Sequence, residues 1–363
     1  MTTTRNPEAS SKDGASGPGL RMRDLGVLNP QNWFSRTPRE PREPQDIRAG
    51  RTSRFDRFLD LGIYVALVVL FVYFSFASPY FLTQRNLVNV GAAVAVTGVL
   101  AAGMTIALVA GQLDLTVGAN VAIVSVAVAL AIGEGIPTPL AVLIGLLVGV
   151  VIGVLNTLLI VKVHINSIIA TLAFSIVIRG VALILTDGQV KPLIDPSLQN
   201  FVSYQIFGVP VSVFILVLVF ILGWIVLTFT RAGWHIYSTG GNASASLRSG
   251  IKINRVYFGV FISTGVLAAV GGVITAGNAG SGGPGYANGA EFDVLTAVLL
   301  GGIGLSGGSG RIQRTLAGVL VIGILNNGLT LLSVDTYYQQ LARGIVFVLA
   351  VVLAAISEQR RAR

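Results

Sequence analysis

From Phe58 onward the chain is built of apolar runs, most about twenty residues long, joined by short polar links. That length is what an α-helix needs to cross the ~30 Å hydrocarbon layer of a bilayer. No water reaches that layer, so each backbone N–H and C=O must find its partner inside the crossing segment or a closed barrel. Runs of this length give helices. They fall at 58–77, 88–110, 118–133, 139–161, 165–185, 208–230, 256–276, 293–305, 315–333 and 342–357. The runs at 118–133 and 293–305 are short enough to be re-entrant. The expected fold is all-α: a polytopic membrane helical bundle of about ten transmembrane segments, with possible re-entrant or short helices. A transmembrane domain over 58–357 would lie between an N-terminal segment, 1–57, and a basic C-terminus, 358–363.

The charges agree. A soluble protein carries roughly 25% charged residues; this chain has 11%, with 53% hydrophobic. Its net charge of +9 would by itself suggest nucleic acid, yet residues 1–57 hold 18 of the charges and the other 306 residues only 23. A soluble enzyme and a nucleic-acid partner are both excluded. Residues 1–57, rich in Ser, Pro, Gly and Arg with no visible cleavable signal, are expected to form a disordered basic cytoplasmic tail. With the N-terminus inside, the cytoplasmic links hold Lys162, Arg231, Arg248, Lys252, Arg255, Arg311 and Arg314, and the C-terminus adds Arg360, Arg361 and Arg363. The opposite links hold only Arg85, Lys191 and Arg343. Ten against three places both termini in the cytoplasm.

Little catalytic chemistry is available. There is no cysteine, and only His164 and His235 could supply imidazole, so no thiolate metal site, disulfide or catalytic triad is expected. Gly302-Ile-Gly304-Leu-Ser-Gly307 matches the dinucleotide fingerprint but follows an apolar run instead of a strand, with no acid about 20 residues on. A P-loop is missing too, so any ATP that drives this chain would be bound by a partner subunit, and no cofactor is expected here.

Several polar groups stand out within the apolar sequence. Asp114, in "GQLDLTVG", lies between two spans, where it could cap a helix and stiffen the loop, take part in gating or coupling, or bind a proton. Arg179 sits inside the fifth run and needs a partner: either an outer-loop carboxylate, or a pathway it lines. Asn156, Asn326 and Asn327 could bond between helices or to a hydroxylated solute. Gly145, Gly149 and Gly153 repeat every four residues on one helix face, a ridge for close packing. "GQLDLTVG" (111–118) echoes "GGIGLSGG" (301–308), and "IGVLN" (152–156) echoes "IGILN" (322–326), a weak sign of internal duplication. The longest cytoplasmic link, 231–255, holds four basic residues and no acid; a short helix over Ala243–Ser249 could follow Asn242 as N-cap.

The order of these blocks resembles the permease subunit of bacterial ATP-binding-cassette importers, in the ribose/xylose/arabinose-type carbohydrate branch. "GQLDLTVGANVAI", "LNTLLIVKVHINSIIATLAFSIVIRG", "GGNASASLRSGIKINRV", "EFDVLTAVLLGGIGLSGGSGRI" and "LNNGLTLLSVDTYYQQLARG" match its blocks in sequence between about Phe58 and Ser357. The resemblance implies an inner-membrane, multi-pass transport subunit without enzymatic activity. Cytoplasmic ATPase subunits would contact Gly240, Gly241, Asn242, Ser249, Gly250 and Ile251; a solute-binding protein would dock outside; a second permease copy or paralogue would complete the pathway. Asp114, Asn156, Arg179, Asn326 and Asn327 would be pathway or gating residues. Ala243 stands where the family often has an acid, Ala245-Ser246 replaces its Ala-Ala pair, and Ile165-Asn166 replaces its Ile-Pro. The solute would be a monosaccharide or a similar hydroxylated molecule. Branched-chain amino acids or nucleosides are alternatives, as is an ion-coupled secondary transporter.

Overall fold

A computed structural model describes residues 54–361. Residues 1–53, most of the N-terminal segment, and 362–363 lie outside the described residues. All ten apolar runs are helical: α1 (Arg54–Ala77), α2 (Gln84–Val109), α3 (Val117–Gly133), α4 (Thr138–Thr157, ending in a wider turn over Leu158–Lys162), α5 (Ser167–Thr186), α7 (Val211–Phe229), α10 (Ile253–Ala279), α11 (Ala290–Leu300), α12 (Ile312–Leu331) and α13 (Thr336–Arg361). The links carry three short helices, α6 (Ser197–Ser203), α8 (Arg231–Gly241) and α9 (Ala243–Arg248), and two strand pairs of two residues each. Seven helices, including α4 with its wider turn, are long and apolar enough to cross a membrane alone.

Local chemistry sets the boundaries. Asn166, standing where proline was expected, still starts α5, because its side chain accepts from Ile168 N at 2.9 Å; a short polar acceptor does what a fixed φ would otherwise do. Thr83 caps α2 in the same way.

Burial is distributed as lipid requires. α2, α3 and α10 form the interior, whereas α1, α5, α7 and α13 turn rows of large apolar side chains outward, among them Val68, Ile176, Ile184, Leu222 and Leu349. In water such faces would drive aggregation; against acyl chains they cost nothing. Of the ridge Gly145, Gly149 and Gly153, the last two lie directly on α10, while Gly145 packs against Val124 and Val128 of α3. A Cβ on Gly149 would stand 2.5 Å from the carbonyl oxygen of Gly265, and one on Gly153 2.5 Å from that of Phe261.

Neither short helix is re-entrant. The segment before α3 touches the start of α5, where Ser167 and Thr171 hydroxyls accept from Leu113 N and Leu115 N. Beyond the end of α3, the Thr138 hydroxyl donates to Asp195, in the link after α5. The chain has therefore passed from one end of α5 to the other, first extended and then helical. α11 reverses the order. Ser281–Gly282 pairs with Lys191–Pro192 beyond α5, the chain reaches Arg179 at Ala287, and after α11 it arrives beside α8 at Gly307. Non-helical backbone at membrane depth is shielded here by protein, as it must be.

The run α2–α3–α4–α5 recurs about 170 residues later as α10–α11–α12–α13. With five spans in each half, the second run crosses in the opposite sense, an inverted repeat. "IGVLN" and "IGILN" fall on its matching members, α4 and α12. "GQLDLTVG" and "GGIGLSGG" do not correspond in this way. Each holds a glycine stop, but one position out of register with the match: Gly111 and Gly302 have φ of 73° and 79°, and the next residues, Gln112 and Ile303, donate back to Ala107 and Val298.

Candidate functional site

The cytoplasmic link 231–255 is a helical hairpin. Thr230 caps α8 by accepting from Gly233 N at 3.2 Å. α8 ends at Asn242, whose extended backbone breaks the helix while its carboxamide oxygen accepts from Ala245 N at 2.9 Å and starts α9. The short helix thus begins where expected and ends at Arg248, with Ser249 as C-cap. Gly250, at φ 85°, turns the chain out, and Ile251 N closes the turn on the Ser246 carbonyl at 3.0 Å. Gly241, Asn242, Ser249 and Gly250 are exposed. Leu247 also faces outward, 62% exposed, an apolar knob on a polar hairpin that its polar neighbours hid in the sequence.

Gly240 and Gly241 are not free to move alone. They lie backbone to backbone on the two glycine-rich stops. Gly308 N donates to the Val109 carbonyl, at the end of α2, at 2.8 Å. A Cβ on Gly240 would collide with that same carbonyl and lie 2.6 Å from Gly308 N; one on Gly307 would be 2.7 Å from Gly111 Cα. The hairpin, the α2–α3 segment and the α11–α12 segment therefore meet at one junction with no side chain between them. Pairing of residues 130 and 200 positions apart carries no local signal, so Gly307 and Gly308 were missed as site residues.

Three residues beyond Gly111 of the junction is Asp114, 1% exposed. Its Oδ1 accepts from Thr116 N at 3.0 Å and the Thr116 hydroxyl at 2.5 Å, with the Asn156 amide at 3.4 Å. Its Oδ2 accepts a very short bond from the Thr264 hydroxyl. The Asn156 amide also donates to Thr116 Oγ1 at 2.9 Å. Asp114 does not cap α3, since Thr116 occupies that position. Instead it fixes the extended segment to α4 through Asn156 and to α10 through Thr264. Satisfied donors are what a buried carboxylate requires. Thr264 and Thr116 were invisible as partners because threonine is ordinary in apolar helices.

Arg179 has the carboxylate partner that was one of its two expected roles. Its Nη2 lies 3.8 Å from Glu291 Oε2 and donates to the Ala287 carbonyl at 3.2 Å. Gly118, at the start of α3, abuts the same group, with the Ala287 carbonyl 2.8 Å from where a Cβ would sit. The broken spans α3 and α11 therefore begin beside one another, pinned by one arginine. Asn327 bonds between helices: it and Asn86 exchange amide hydrogen bonds of 2.8 and 3.0 Å, joining α12 to α2. Asn326, one position away, has a buried carboxamide oxygen with no protein partner among the described residues.

Residues 86–351 match the family described as branched-chain amino acid transport system / permease component. The chain belongs to this permease family. Among its relatives, the ribose import permease protein of Bacillus subtilis (strain 168) is 42% identical over 297 residues, covering 81% of this chain and 92% of that protein. The ribose import permease protein of Escherichia coli (strain K12) is 36% identical, covering 80% and 91%, and the L-arabinose transport system permease protein of that strain is 33% identical, covering 80% and 89%. No solved structure matches. The permease is thus a multi-pass membrane transport subunit and not an enzyme, and its family implies partners that bind solute and hydrolyse ATP.

Proposed function

We infer that this permease forms the translocation pathway of an ATP-driven importer for a pentose or a similar neutral, hydroxylated solute in the cytoplasmic membrane. The sugar is favoured by the relatives named for ribose and L-arabinose, the quoted ones among them covering about nine-tenths of those proteins. It is also favoured by a membrane interior whose polar groups are mostly amides and hydroxyls. ATP would be bound by partner ATPases seated on the exposed hairpin around Gly241, Asn242, Ser249, Gly250 and Leu247, with a second permease copy or a paralogue completing the pathway.

The observation that carries the mechanism is the glycine junction. A push on the hairpin meets Gly111 and Gly307–Gly308 with no side chain to absorb it. From there it passes to the extended segment held by Asp114, and on to the meeting point of α3 and α11 at Arg179. Two packed arrangements of these broken spans would give alternating access. Asn326, whose buried carboxamide oxygen has no partner among the described residues, is our candidate for contact with solute.

The test is uptake into proteoliposomes holding the permease with its ATPase and binding protein. Labelled ribose or L-arabinose should accumulate only with internal or external ATP on the ATPase side, while leucine should not. Accumulation of leucine, or sugar uptake that an ion gradient drives without ATP, would overturn this reading.

A further inference from the structure

At the cytoplasmic end of the bundle, α1, the last turns of α7, α8 and the start of α12 enclose a cavity of about 920 Å³. Its wall carries four aromatic side chains, Tyr64, Trp224, Trp234 and Tyr237, and two arginines, Arg311 and Arg314, and among the described residues no acidic one lines it. The two kinds of wall are separated. Tyr64 and Trp224 belong to helices that turn apolar faces to lipid, and both rings are partly exposed on those faces. The arginines lie where α12 begins, at the level where α7 has ended and the chain has become basic. Gly223 sets this geometry: lacking a side chain, it lets α7 lean on Ile312, where a Cβ would stand 2.6 Å from Cδ1.

Two side chains here are unexplained by folding. Trp234 is 71% exposed, although it sits on α8 between Arg231 and His235. An indole is stable neither in water nor in hydrocarbon so much as at the boundary between them. Arg311 stands exposed at the N-cap position of α12, where a side chain with only donors cannot cap the helix and a cation opposes its dipole.

We propose that this cavity binds the headgroup of an anionic phospholipid from the inner leaflet. The phosphate would be held by Arg311, with Trp234 beside it at the membrane boundary, and the acyl chains would lie along Tyr64 and Trp224 between α1 and α7. Basic pockets between membrane helices on the cytoplasmic side suit such headgroups. A free anion would leave the aromatic groove without a role, because it offers nothing to Tyr64 or Trp224. A lipid uses both walls. Its occupancy would also brace α8, one turn before Gly240.

The test is native mass spectrometry of the full chain, purified in mild detergent and titrated with phosphatidylglycerol or phosphatidylcholine. Wild type should retain phosphatidylglycerol in preference to phosphatidylcholine. Arg311→Gln should weaken that retention about fivefold, the worth of one arginine at an anionic surface; Trp234→Ala should also weaken it, and Arg248→Gln, outside the cavity, should not. Arg311→Lys should keep most of the binding, which distinguishes lost charge from lost fold. Equal retention of both lipids, or an Arg311→Gln protein indistinguishable from wild type, would overturn the proposal. Displacement of the lipid by millimolar inorganic phosphate would also overturn it, by assigning the site to a free anion.

Discussion

Replacing Gly308 by alanine should damage this permease more than the same change at Gly188, although the two backbones are nearly alike. Their φ values are 70° and 72°, so both alanines incur the left-handed penalty, about 1–2 kcal/mol. Around Gly188 nothing lies within 4 Å of the added carbon. At Gly308 the carbon would collide with Gly241 Cα and stand 2.5 Å from Gly241 N. Backbone cannot rotate away as a side chain would, so the hairpin must shift from the end of α2, at an overpacking cost of about 1–3 kcal/mol. If the shift also breaks the Gly308 N to Val109 bond, a buried acceptor is left unpaired, at about 1–3 kcal/mol more. Gly308→Ala should therefore be about 1–3 kcal/mol less stable than Gly188→Ala if that bond survives, and about 2–6 kcal/mol less stable if it breaks. The comparison is made by thermal denaturation of the two purified variants in one detergent, alongside ATP-driven uptake in proteoliposomes. Gly188→Ala should transport like wild type, and Gly308→Ala should lose transport even at temperatures where it remains folded. Equal melting temperatures, or full uptake by Gly308→Ala, would refute the claim that the hairpin bears directly on the glycine stops.

Two further outcomes test the polar contacts. Thr264→Val removes one donor from the buried Asp114 carboxylate and should destabilise the permease by about 1–3 kcal/mol, with Thr264→Ser close to wild type; a valine variant of unchanged stability would show that Asp114 is held without α10. In a double-mutant cycle, Asn86→Leu and Asn327→Leu should show a coupling between about 0.6 kcal/mol, the average for hydrogen bonds between membrane helices, and about 1.7, their maximum; strict additivity would mean that the reciprocal amide pair adds no stability.

The spans were legible because length and hydropathy are properties of one segment at a time. Asn166 stood out in the sequence only as a departure from the family's proline; its role as the cap of α5 came from the structure. What escaped was pairing across the chain. Arg179 announced that it needed a partner, but Glu291 is one of several outer carboxylates and only the descent of the 280–289 segment brings it near. Asp114 looked like a capping residue by position, and the structure gives that position to Thr116. Asn326 and Asn327, adjacent in sequence, point to different surroundings because successive helical residues lie about 100° apart. Residues 111–118 and 301–308 each stop a helix with glycine, but out of register with their apparent match, and the duplicated architecture lies in other segments.

The glycine ridge has a mechanical meaning as well. Where α4 meets α10 through bare backbone, there are no rotamers to exchange and no side chain to yield under load. Those two helices behave as one stiff beam through the middle of the permease. On the alternating-access reading proposed above, the hinges would lie in the helices around that beam, where side chains can slide past one another, and a helix pair packed this closely would set the axis about which they turn.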